Sequence, residues 1–142
     1  MEPRITLITL GVVDLARAVR FYRDGLGWMP SSASVEGDVA FFQLNGMVLA
    51  LWDRDKLAAD ARMADGGGWG GIALAQNQVS REAVDEAVAR AVAAGARVLK
   101  APEATDWGGY SGYVADPDGH PWEIAHNPSW PLSEDGSLTL PL

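Results

Sequence analysis

Hydrophobic and polar positions along the chain fall into short blocks, each bounded by glycine, proline, asparagine or aspartate. The first block, residues 5–13, is a run of aliphatic and β-branched residues and predicts a buried strand. Asp14 follows at a helix N-cap position. Leu15, Ala18, Val19, Tyr22 and Leu26 then recur at helical spacing, with Gly25 and Gly27 as stop signals. A short segment, residues 29–35, leads into the turn Glu36-Gly37-Asp38. Residues 39–44 and 47–52 read as two further strands joined by Asn45-Gly46, a dipeptide suited to the tight hairpin turn because both positions tolerate positive φ.

Residues 54–68 break the pattern: they are charged and alanine-rich, then end in Gly66-Gly67-Gly68, as expected of a linker with one helical turn. A second round begins with a strand over 69–75. Ser80 is an N-cap, and Val84, Ala87, Val88, Ala91 and Val92 form one apolar stripe closed by Gly95. Residues 97–100, 110–115 and 121–126 read as strands. Between the last two, Asp116-Pro117-Asp118-Gly119 is a turn in which proline presets one dihedral and glycine permits a positive one. The order is strand, helix, three strands, then the same again. This predicts an α+β chain of two βαβββ modules, module one at about 5–53 and module two at about 69–127, with an arm over 128–142.

Composition narrows the function classes. The 142 residues suit one domain, and no apolar run approaches the roughly 20 residues of a membrane-spanning helix. The first residues lack the basic start and apolar stretch of a secretory signal, so a cytoplasmic address is the default. The absence of cysteine excludes disulfides, thiolate metal sites and cysteine nucleophiles. A net charge of −8 argues against nucleic acid, whose phosphates need a basic face, and favours a cationic small ligand if the acids gather at a pocket.

Two stretches carry a family resemblance. Gly11-Val12-Val13-Asp14-Leu15, with Ala18, Phe21-Tyr22-Arg23-Asp24 and Leu26-Gly27, is similar to the first strand and helix of the vicinal oxygen chelate superfamily, the glyoxalase, bleomycin-resistance and extradiol dioxygenase group. Gly108-Gly109-Tyr110-Ser111-Gly112-Tyr113, leading through Asp116-Pro117-Asp118-Gly119-His120 to Trp122-Glu123, resembles that group's final hairpin. The resemblance implies a glyoxalase-like fold: two βαβββ modules making a curved, mixed-sheet cup with helices on its outer face, often completed in a homodimer. In metal-using members four His, Gln or Glu ligands line the cup and hold an ion that polarises a substrate carrying neighbouring oxygens.

At those ligand positions this chain departs from the family. The first falls on Leu7 and the second on or beside Leu49, where Val48 and Ala50 are apolar too. The third falls on Gly71, and the last keeps its acid as Glu123. Hydrocarbon and glycine donate no electron pair, and a zinc-type site needs three or four protein ligands. No metal, no other cofactor and no catalytic residue is therefore expected. Glu123 is either an anchor or base for a ligand, or an inherited acid satisfied by a neighbouring group.

Trp52, Trp69 and Trp107 stand at strand ends or loops, where they can rim a pocket; Trp28, Trp122 and Trp130 are expected in packing. Tyr110 and Tyr113 lie an odd number apart, so on a regular strand one of them faces the cup, and the sequence leaves open which. The expected ligand surface is Leu7, Leu49, Trp52, Trp69, Gly71, Trp107, Tyr110, Tyr113 and Glu123. Two functions compete. One is metal-independent binding of a small, partly aromatic or cationic molecule, of the antibiotic-sequestering type. The other is a lyase, isomerase or dioxygenase working through Glu123, with or without a metal. A module that only docks on another chain through its arm is a weaker third.

Overall fold

The computed structural model describes residues 3, 5–70, 72–138 and 140. The chain divides into two compact units, Met1–Gly70 and Gly71–Leu142. Each is a mixed sheet with a helix packed on one face. Among the described residues no helix is long and apolar enough to cross a membrane.

The first unit runs β1 (Leu7–Val12), α1 (Leu15–Arg20), a π-helical turn (Phe21–Gly25), β2 (Val39–Gln43), β3 (Val48–Asp53) and α2 (Arg54–Ala61). Its sheet has the order β1-β3-β2, with β1 parallel and β2 antiparallel to the central β3. The Asp14 carboxylate caps α1 by accepting from the Arg17 N–H at 2.9 Å. At the other end Gly27, at φ 79°, lets the Trp28 N–H reach back to the Tyr22 carbonyl at 2.9 Å.

Side chains alternate across a strand, and the ladders put Leu10 and Val12 of β1, Ala40 and Phe42 of β2, and Leu49 and Leu51 of β3 on one face. All six are buried, as are Ala18, Phe21 and Tyr22 from the helical segment. Phe21 meets Tyr22 edge-on at 4.9 Å, and the Tyr22 ring lies 5.4 Å from Trp28 and 6.0 Å from Phe42. Residues 29–35 do not form a third full strand. They touch the sheet through single bridges, Pro30 to Phe42 and Val35 to Val39.

The expected linker is more ordered than its composition suggests. Its first eight residues make α2, capped by the Asp53 carboxylate on the Lys56 N–H at 2.9 Å and stopped by Arg62 in the left-handed region. None of its residues is fully buried. Ion pairs tie it down instead: Lys56 to Asp38 at 2.6 Å, and Arg54 to Asp65 through both guanidinium nitrogens. Gly11 makes room for its start. A Cβ there would meet the Arg54 backbone and stem at 3.2–3.4 Å.

The second unit runs β4 (Leu74–Asn77), α3 (Arg81–Ala93), β5 (Arg97–Ala104), β6 (Tyr110–Ala115) and β7 (Pro121–His126), with sheet order β4-β7-β6-β5. β4 is parallel to β7; the other pairs are antiparallel. Ser80 caps α3 on the Ala83 N–H, and Val84, Val88 and Ala91 are buried. Val92, expected in the stripe, is 43% exposed because it lies past the edge of the 84–88–91 row.

The strand expected over 69–75 is only β4, because its ladder with β7 opens at Leu74 opposite Trp122. Pro121, just before that partner, has no N–H to extend it. The Asp116 turn is structural: its buried carboxylate accepts from the Asp118 and His120 N–H groups at 3.0 and 2.9 Å, and Gly119 takes φ 90°.

Two stability outcomes follow. Leu49→Ala should cost about 2–5 kcal/mol by emptying the core, while Leu7→Ala, on the other face, should cost far less, as denaturant midpoints would show. At Gly112 a Cβ would stand 2.8 Å from the Pro102 nitrogen and 2.9 Å from the Lys100 carbonyl oxygen. Those are backbone atoms, so Gly112→Ala should force β5 aside and cost roughly 1–3 kcal/mol in the same measurement.

Candidate functional site

In the first unit the face away from α1 carries Leu7, Thr9 and Gly11 of β1, Val39, Phe41 and Gln43 of β2, and Val48, Ala50 and Trp52 of β3. It is apolar and aromatic, with no ionisable side chain among these nine. Leu7 starts β1, pairs with Val48 and is 42% exposed. Leu49, named from the sequence as its partner in the ligand set, is corrected here. It points to the α1 face, pairs with Ile8 and Phe42, and is 1% exposed. Its neighbours Val48 and Ala50 take the Leu7 side.

Trp52 is half-buried at the end of this face, opposite Gly11 and Val39. The Asp38 carboxylate, in the residue before Trp52's ladder partner Val39, accepts from the Lys56 ammonium at 2.6 Å. Lys56 holds the Asp38 carboxyl below its ordinary value, by hydrogen bond first and charge second. Trp69 does not stand on a strand; it is 73% exposed in the segment after α2. There Asp65, gripped by the Arg54 fork and the Gly67 N–H, is drawn down to about 2. Gly71 lies outside the described residues.

In the second unit the two tyrosines separate. Tyr110 goes to the α3 face: its hydroxyl donates to Asp85 at 2.9 Å, and the Arg81 guanidinium lies 5.5 Å from its ring centroid. Its place in the expected ligand surface is therefore withdrawn, because both polar partners sit on the helix. Tyr113, three residues on, takes the face away from α3 together with its ladder partner Glu123. Ala75 of β4 pairs with Glu123 from the other side, and Lys100 of β5 pairs with Tyr113.

Tyr113 and Glu123 stand opposite each other across the β6–β7 ladder. Desolvation first, then the Glu123 charge, push the Tyr113 ionisation up. Lys100 opposes that shift while paired to Glu103 at 3.1 Å. Trp107 lies in the turn between β5 and β6, 51% exposed, with its ring over Gly109. A Cβ on Gly109 would fall 1.7 Å from the ring. The candidate residues thus form an apolar surface in one unit and a carboxylate–phenol pair in the other.

The residues do not fit the four-ligand metal of the family. Leu7 and its neighbours Val48 and Ala50 offer only hydrocarbon, which leaves Glu123 as the one acid among those positions. His126 stands on the α3 face, its Nδ1 3.0 Å from the Gln78 carbonyl oxygen. Among the described residues no group of three or more His, Cys, Asp or Glu is placed to hold a metal. Sequence reasoning missed Asp38, Lys56, Phe41 and Lys100. The signal for Asp38 and Phe41 was the Asn45-Gly46 turn, which fixes the β2–β3 register and sets Val39 opposite Trp52.

Comparison with known proteins agrees with the fold. A glyoxalase-related enzyme from Fulvimarina pelagi is 43% identical, with 98% of this chain and 99% of that chain covered and a TM-score of 0.89. A glyoxalase/bleomycin resistance protein/dioxygenase from Nocardioides is 29% identical over 89% of this chain and 84% of its own, with a TM-score of 0.72. Lactoylglutathione lyase from Agrobacterium tumefaciens is 26% identical over 89% and 95%, with a TM-score of 0.66. No curated protein matches the chain. The family model for the Glyoxalase/Bleomycin resistance protein/Dioxygenase superfamily matches residues 4–124, and with two mixed sheets of the same fold behind it the chain belongs to that superfamily.

Proposed function

We propose that this protein binds a small, partly aromatic or cationic molecule without a metal, in the manner of an antibiotic-sequestering member of its superfamily. One observation carries the proposal. Glu123, the one acid among the expected ligand positions, is half-buried opposite the Tyr113 phenol, and among the described residues it does not stand in a group of three or more His, Cys, Asp or Glu. A carboxylate has about four lone-pair sites and can accept from an ammonium or amidinium group. Taken by itself, the first unit's apolar face with Phe41 and Trp52 is a flat surface suited to an aromatic molecule.

A second function is favoured by the Fulvimarina pelagi relative, an enzyme by name. Glu123 would take a proton from a bound substrate, with the Tyr113 hydroxyl on the same face of the sheet. Formation of lactoylglutathione that disappears in Glu123→Gln would replace binding by catalysis as the function.

Proflavine, a planar aromatic cation, tests the binding function by quenching of tryptophan fluorescence. Glu123→Gln should weaken it roughly 10–100-fold, the size of one hydrogen bond to a charged group at about 1.5–3 kcal/mol. Exhaustive chelation should leave the wild-type affinity unchanged. Stoichiometric zinc, nickel, iron or manganese in purified protein, or binding lost with the metal, would end the proposal.

The phenol offers a check that needs no ligand. Tyr113 binds its proton more tightly folded than unfolded. Its contribution to stability is therefore complete below the ordinary tyrosine value and lost as pH rises through the higher folded value. In Glu123→Gln the absorbance titration of Tyr113 should move back toward that ordinary value.

A further inference from the structure

The turn between β2 and β3 sets a side-chain amide beside a backbone nitrogen that can attack it. Asn45 is exposed, and it is the one asparagine in the chain followed by glycine. Gly46 takes φ 76°, and a Cβ there would meet nothing within 4 Å. Neither a side chain of its own nor a neighbour crowds that residue. Around it the turn is tied closely. The Leu44 N–H donates to the Met47 carbonyl at 2.8 Å, and the Gln43 side-chain amide donates to the Leu44 and Met47 carbonyls at 2.8 and 3.1 Å. The β2–β3 ladder starts one residue further out, at Gln43 opposite Val48.

The four aspartate–glycine pairs react by the same route only as protonated acids, since their leaving group must depart as water. Their surroundings oppose it. Arg23 donates to both oxygens of Asp24 at 2.7 and 2.9 Å, and Arg54 to both oxygens of Asp65. Those guanidinium groups hold both acids below the ordinary carboxylate value. Asp135 accepts from the Ser137 N–H and hydroxyl at 3.0 and 2.7 Å, and the Gly119 N–H after Asp118 donates to the Asp116 carbonyl at 2.9 Å.

We propose that Asn45 is a site of spontaneous covalent modification, at which the Gly46 nitrogen closes on the Asn45 amide and reopening leaves isoaspartate in the turn. The Gly46 nitrogen gives its proton to water, and its electron pair forms a bond to Asn45 Cγ. The Cγ–Nδ2 bond breaks, and ammonia leaves with a proton from solvent. Water then adds to one of the two carbonyls of the resulting succinimide. Opening at Cγ gives aspartate. Opening at the backbone carbonyl gives isoaspartate, whose main chain runs through Cβ. Either product adds one negative charge, and isoaspartate also adds a backbone atom to a loop of two residues. The Leu44 to Met47 bond closes that loop, so the extra atom breaks it and loosens the first ladder pair.

A synthetic peptide of residues 40–50 serves as the clock. Folded protein is aged beside it at mildly alkaline pH until the peptide has reacted. The protein should gain one mass unit at Asn45, and electron-transfer fragmentation should show both aspartate and isoaspartate there. Asn45→Gln, which would have to close a six-membered ring, should gain none. Protein still unmodified when the peptide has reacted, or isoaspartate appearing first at an aspartate–glycine pair, overturns the proposal. In the isoaspartyl protein the Leu44 amide should exchange roughly 3- to 10-fold faster, as loss of one backbone hydrogen bond allows, and in Asn45→Asp it should stay within about twofold of wild type. That variant has the charge without the extra atom. Equal exchange in isoaspartyl and wild-type protein, or equal acceleration in Asn45→Asp, overturns the loosening.

Discussion

The pairing of β3 with β1 on one side and β2 on the other is the constraint from which the first unit follows. A central strand has no freedom to roll. Once the aromatic cluster around Tyr22 demands that Phe42, Leu49 and Leu51 face α1, Val48, Ala50 and Trp52 must face the opposite way. The buried side chains of that cluster supply the stabilisation, at about 25 cal/mol per Å² of apolar surface removed from water. The candidate ligand surface is what that demand leaves over. Its apolar character is a by-product of a strand hydrophobic on both sides.

Electrostatics then divide the labour between the units. In the first, charge is kept at the periphery: Asp38 with Lys56, and Arg54 with Asp65. Such exposed pairs add little to overall stability, yet they fix where two loops and one helix lie. In the second, a carboxylate and a phenol meet directly across a ladder, away from the helix. Where metal-using members of the family gather ligands around an ion, this chain keeps one acid, set opposite a phenol.

Much of this was legible in the residues, and the limits have physical causes. The caps at Asp14 and Ser80, the Asn45-Gly46 hairpin and the Asp116 turn each depend on local chemistry and stand where the pattern put them. The placement of Leu49 failed because residues 48–52 are all apolar, so the strand shows no alternation from which to read a side. Counting outward from the two-residue turn would have paired Leu49 with Phe42 and removed it from the ligand set. For Tyr110 and Tyr113 the parity was visible, but the absolute side was set by Asp85 and Arg81 on α3, more than twenty residues earlier in the chain. The helix α2 is longer than the single turn expected: Arg54–Ala61 carries a single large apolar residue, Leu57, and so has no stripe from which to read its length.

That helix has a further consequence. Every other regular element in the first unit is held by ladder bonds or oily packing, which dissolved electrolyte hardly touches. α2 leans on opposite charges near its ends, and at molar ionic strength the reach of a charge shrinks to about 3 Å. Brine should therefore slacken this one corner of the fold while the sheet beneath it stays rigid.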